Sequence, residues 1–202
     1  YKHWGEVAMF ATTTVPTQRT VIHEAFLECA GHRIDGLPMF DAPSIAEMSG
    51  ALCTSGAVSA GSTSGSNGTI GYAEFPPNAA SIKGQPLEKL RRATQHQALV
   101  VATRVSGDSL APINAQFFNT PFGPPVLLVA GMHHELLAGL AARQTPARLV
   151  SHYTRDAMDS FNVEAQVAGA GSGAAPLAIV TPRTGWWEST AERAGGIDSI
   201  VR

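Results

Sequence analysis

Seven histidines are the first residues to weigh for chemistry, and their spacing matters more than their number. The densest cluster is His133-His134-Glu135, but the next residues, Leu136-Leu137-Ala138, put alanine where a zinc-protease helix needs its second histidine. The cluster therefore reads as a helix start, with Glu135 complementing the positive end of the dipole. His3, His23, His32, His96 and His152 stand singly at strand or helix ends and read as solvated or hydrogen-bonded side chains. Asp156 and Asp159 read as turn caps, Arg91-Arg92 as a solvated helix face, and Asn114 as a turn residue. The small-residue stretch from Gly50 to Gly68 fits neither a phosphate cradle nor a nucleophile elbow. No lysine comes after its glycines, and Gly61-Ser62-Thr63-Ser64-Gly65 has threonine at the centre. Cys29 and Cys53 lack metal-type spacing, leaving one disulfide open.

The segment Thr181-Pro182-Arg183-Thr184-Gly185-Trp186-Trp187-Glu188 continues through Ser189-Thr190-Ala191 to Glu192-Arg193 and offers a denser grouping. It comes directly after an apolar run, Leu177 to Val180, and loops leaving strand C-termini are where open α/β sheets bind ligands. Arg183 would pair an anionic or carbonyl group, and Glu192 would act as base. Trp186 and Trp187 would form an apolar wall. The ligand expected there is polar.

The elements that would position these residues are set by patterning. Thr20 to Cys29 and His32 to Phe40 read as strands, the second placed at an edge by Pro38. Gly50 to Gly68 reads as loop, or weak strands joined by loops. Thr69 to Phe75 is a strand, and Pro86 opens a helix to about His96 with Leu87, Leu90 and Ala93 buried and Glu88 facing Arg92 on the wet side. Ala98 to Thr103 and Pro125 to Ala130 are short apolar strands. A helix over 133–143 carries the stripe Leu136, Leu137, Leu140 and Ala141, and Ala147 to Tyr153 is the next strand. The three strands are expected in one sheet with both helices packed on it. Asn162 to Val167 and Leu177 to Val180 read as a hairpin joined by the Gly-Ala turn.

Composition narrows the classes. The 202 residues are 44% hydrophobic and 15% charged, enough apolar surface for a core, and the net charge of −2 argues against a broad basic face for nucleic acid. No apolar run reaches the ~18 residues of a membrane helix. The chain opens on Tyr1, which reads as the loss of an upstream segment.

The block Ile82-Lys83-Gly84, the helix LEKLRRAT, the strand ALVVAT, the turn PFGPPV and the helix ELLAGLAA resembles a protease-associated domain. The more C-terminal stretches NVEAQVAG, PLAIVTPRTGWW and ERAGG are similar to the entrance of the two-zinc aminopeptidase fold, a group that includes leucyl aminopeptidases, glutamate carboxypeptidase and the transferrin receptor. The resemblance implies an α+β chain: an entry segment over 1–20, a β-rich protease-associated-type domain with two strand-helix-strand units over 21–160, and the first strands of an aminopeptidase-like α/β domain over 161–202. It implies a hydrolase relative acting on peptide or amide bonds, or a non-catalytic protein- or ligand-binding module of the same architecture, with a peptide or small amide as ligand and Glu192 as base or residual metal ligand. The family's zinc-binding histidine would fall on Pro182, its orienting aspartate on Thr184 and its bridging carboxylate on Glu192. The implied zinc site is thus altered or absent, and no cofactor is expected on this chain. The residues from Phe161 onward are too few for a peptidase domain, so the sequence reads as a piece of a longer protein whose remaining peptidase-like part is its partner.

Overall fold

All six residues of Ala98–Thr103 are buried, as are all five of Val126–Ala130, the burial of strands covered on both faces. The two run parallel, from Leu99 opposite Val126 to Thr103 opposite Ala130. They lie at the centre of a computed structural model that describes residues 8–55, 68–76, 78–104, 110, 112–117, 119–167 and 173. In chain order the strands are β1 (Ala8–Cys29), β2 (His32–Pro38), β3 (Ile45–Thr54), β4 (Thr69–Phe75), β5 (Ala80–Ser81), β6 (Ala98–Thr103), β7 (Asn114–Ala115), β8 (Val126–Ala130) and β9 (Pro146–Val167). The helices are α1 (Pro86–Ala93) and α2 (His134–Ala142), the latter entered through a 3-10 turn at Gly131–His133.

The chain divides into a contiguous unit, Thr20–Arg155, and a second unit holding both ends, through Arg19 and from Asp156. The sheet of the contiguous unit closes into a barrel in the order β1-β2-β8-β6-β4-β3-β9, and β5 and β7 form a separate two-stranded sheet. Parallel pairs β3–β4, β4–β6 and β6–β8 make one wall, and antiparallel pairs complete the rest. Alternation along β6 divides the core in two. Ala98, Val100 and Ala102 join Leu27, Leu52, Ile70, Leu127 and Leu149 with Leu137, Leu140 and Ala141 of α2. Leu99 and Val101 join Val126, Leu128 and Ile113 with Leu87 of α1.

The expected strands 98–103, 125–130 and 147–153 thus share one sheet, with α1 and α2 packed on it. The two strand-helix-strand units differ, however. The first gives parallel neighbours, β4 and β6, whereas α2 carries the chain from β8 to β9, which pairs antiparallel with β3.

Several expectations are corrected. Residues 50–54 are the second half of β3, the strand alternative rather than the loop, with Gly50 and Ala51 paired to β9 and residues 51–54 paired to β4. Small side chains suit that crowding: a Cβ on Gly50 would lie 2.1 Å from the Gly68 carbonyl oxygen. The stretch 45–49, where the pattern gave no element, is the first half of β3. Strand β2 is not at an edge, since β1 pairs with residues 32–35 and β8 with residues 36–38. Pro38 is tolerated because it ends the strand where one neighbour remains. Helix α1 stops at Ala93, with Thr94 in extended backbone. Ala93 is exposed, Glu88 is buried rather than on the wet side, and Arg91 is 1% exposed rather than solvated. Asn114 lies in β7, and Asp156 and Asp159 continue β9 rather than capping a turn. The expected strand 162–167 is the end of β9, and its partner 177–180 lies outside the described residues.

Candidate functional site

Arg183, Glu192, Trp186 and Trp187 lie outside the described residues, as do Pro182 and Thr184. Among the described residues the best candidate for binding is a groove of about 850 Å³ at the β1–β2 end of the barrel.

The groove begins with a two-residue hairpin, in which Cys29 pairs with His32 and the turn is Ala30-Gly31. Both turn residues have positive φ, +51° at Ala30 and +80° at Gly31, as a type I′ hairpin requires. Glycine meets this freely, but alanine pays for its Cβ. The other described non-glycine residue with positive φ, Gln144 at +53°, also lines the groove, on the turn between α2 and β9. Left-handed residues concentrate where a backbone is held for a purpose, so their meeting here makes the groove a candidate.

Its walls are charged. Across four strands runs an alternating ladder. Arg33 bonds Asp35 at 3.2 Å and approaches Glu28 at 3.7 Å, and Arg148 donates to Glu28 at 2.9 Å and to Glu47 at 3.1 Å. The hydrogen bonds that Arg148 donates to Glu47 and Glu28 hold it further toward its charged form. Both guanidinium groups also lie over the buried Phe26 ring, Arg33 at 3.6 Å and Arg148 at 5.2 Å from its centroid, shielding an apolar face with cations. The groove's thiol, Cys29, donates to the Pro146 carbonyl at 3.4 Å, and burial pushes its pKa up. A protonated, buried thiol is a poor nucleophile. Cys53 is likewise buried and raised by burial, and both cysteines are free, so the disulfide left open by the sequence is not formed.

On the side of the sheet covered by α1, Arg91 makes a network that sequence patterning missed. It donates to Asp41 Oδ1 at 2.5 Å, Ser81 Oγ at 2.6 Å, the Asp41 carbonyl at 2.8 Å and the Phe122 carbonyl at 2.7 Å. Ser81 donates to the other Asp41 oxygen at 2.8 Å, and the guanidinium stacks 4.0 Å from the Phe122 centroid. Burial pulls Arg91 below its ordinary pKa, with Asp41 opposing. The network fastens α1, β5 and the segments at 41 and 122 to each other. Its role is positional.

The zinc that the resemblance implies can be tested against these side chains. Among the described residues no three His, Cys, Asp or Glu side chains converge as a metal site. His134 Nδ1 stands 3.9 Å from Glu74, but that carboxylate is already bonded to Arg104. The described residues do not fit a zinc ion.

The ladder was hidden because its partners lie 101 and 120 residues apart, although the run of charges on strands β1 and β2 is visible in the sequence. The Ala30-Gly31 turn between two strand-like runs was the available signal.

No family model matches the chain, and no curated protein matches it. Solved structures do. BSAP, a zinc aminopeptidase from Bacillus subtilis, aligns over 80% of this chain and 37% of its own at 15% identity, with a TM-score of 0.50. An aminopeptidase from Aneurinibacillus sp. strain AM-1 aligns over 85% and 41% at 14% identity, TM-score 0.48. A peptidase M28 precursor from Shewanella amazonensis SB2B aligns over 80% and 41% at 14% identity, TM-score 0.49. The chain spans about two fifths of the length of these proteins, and its strand-rich mixed sheet is similar in fold to part of BSAP.

Proposed function

We propose that this chain is part of an aminopeptidase-like hydrolase acting on peptide or amide bonds, with an altered or absent zinc site. The observation that carries the reading is the fold shared with a zinc aminopeptidase across 80% of the chain. The contiguous barrel unit is the accessory, protease-associated-type domain, and its charged groove retains the polar backbone or termini of a peptide. Two facts support an accessory role: no three metal-ligating side chains converge among the described residues, and the groove's cysteine is held as a thiol. The accessory domain is drawn over 21–160, five residues past that unit's end at Arg155, and the start of the hydrolase part over 161–202. Bond cleavage is assigned to the TPRTGWWESTAER segment and what it joins, with Arg183 gripping a carbonyl or carboxylate, Glu192 acting as base, and Trp186 and Trp187 walling the substrate.

The test is hydrolysis of a panel of aminoacyl p-nitroanilides by the purified full-length protein of which this chain is proposed to be part. Turnover of at least one substrate above the uncatalysed rate is the expected result. No turnover, together with saturable binding of the same peptides, would replace this reading with the binding module of the same architecture.

A further inference from the structure

Two histidines that sequence spacing treats as singletons are brought together by the barrel. His23 on β1 and His152 on β9 have ring centroids 4.7 Å apart with planes inclined by 38°, and His23 Nε2 lies 3.2 Å from Thr154 Oγ1. His23 is exposed and His152 is half-buried, so the pair is open to solvent and to ions. The strands carrying them are the ones that close the barrel.

We propose that His23 and His152 form a two-imidazole site for a late first-row divalent cation of the nickel or copper type, completed by water. Imidazole nitrogen binds such ions at about 2.0–2.1 Å, which puts the metal roughly 3.2 Å from each ring centroid. Were both rings to turn a nitrogen toward one ion at that distance with their centroids kept 4.7 Å apart, they would subtend an angle of about 95° at it. That is a cis pair in octahedral or square-planar coordination, the geometry of Ni²⁺ and Cu²⁺, and narrower than the tetrahedral angle favoured by structural zinc. Thr154 supplies a hydroxyl that orients the His23 ring, as second partners of ligating histidines do. The pair lies 129 positions apart in sequence, so a bound cation would cross-link the two closing strands. This inference is independent of the hydrolase reading.

The test is titration of the intact chain with NiCl₂, CuCl₂ and ZnCl₂, with binding read by calorimetry and by melting temperature. One strong equivalent is expected, bound in the order copper, nickel, then zinc, and a saturating ion should raise the melting temperature by several degrees. His23→Ala and His152→Ala should each weaken nickel binding at least tenfold while melting like the parent in chelator. His133→Ala/His134→Ala, which alters a different cluster, should leave that equivalent unchanged. Equal nickel binding in the parent and in both single variants would overturn the site, as would absence of any strong equivalent. If either single variant melts early in chelator, His23→Gln and His152→Gln give the same comparison with polarity retained.

Discussion

A buried charge is worth most to an argument when its partner can be named, and Arg91 is the clearest case. With both Arg91 and Asp41 side chains fully buried, removing either leaves the other uncompensated in a dry site. Arg91→Met or Asp41→Asn is therefore expected to cost about 3–5 kcal/mol in denaturant titration. The double variant Arg91→Met/Asp41→Leu should cost less than either single change, because no stranded charge remains. Equal or additive losses would mean the pair contributes as independent contacts. His96 is the second residue-scale case. It is 4% exposed, its Nδ1 pairs with Thr69 at 2.8 Å, its Nε2 has no hydrogen-bond partner among the described residues, and burial lowers its pKa. Between that lowered value and the ordinary value of about 6.5, the unfolded chain holds the proton that the folded chain rejects. Stability should therefore fall as pH drops through this window and be retained above it. His96→Gln should flatten this slope, as seen by comparing denaturant midpoints at pH 7.5 and 5.5.

At the scale of elements, the hairpin carries strain that a single change can relieve. Ala30 is exposed and sits at φ +51° before Gly31 at +80°, and asparagine tolerates the left-handed region better than alanine. Ala30→Asn should stabilise the protein by about 0.5–1 kcal/mol, measured as an unchanged m-value with a higher midpoint. In the core, Leu137 of α2 is 0% exposed in the cluster it shares with β3 and β4 residues Leu52 and Ile70. Leu137→Ala should cost about 2–5 kcal/mol. These elements differ in how legible they were. β6, β8 and α2 declared themselves through unbroken apolar runs or a 3.6-residue stripe, signals that lie within a dozen residues. The strand at 45–54 did not, because its small residues satisfy packing constraints imposed by Gly68, β4 and β9, which are remote in sequence. Arg91 looked like surface for the same reason: nothing near it announces Asp41, 50 residues away. The groove's ladder joins four strands, and only closure of the barrel brings Glu28 to Arg148.

For the whole molecule, the proposal divides the labour: the barrel would retain and position a ligand, and hydrolysis would fall to the part beginning near residue 161. No helix among the described residues is long and apolar enough to cross a membrane, and the near-neutral charge gives no broad electrostatic attraction to polyanions. The most direct measurement is kcat/KM for the best aminoacyl p-nitroanilide, comparing the parent protein with Arg183→Ala and Glu192→Ala and checking each variant's melting temperature. The account predicts at least a tenfold loss for each, about 1.4 kcal/mol of transition-state stabilisation, with melting unchanged. Full activity in both variants, or loss only alongside unfolding, would contradict it.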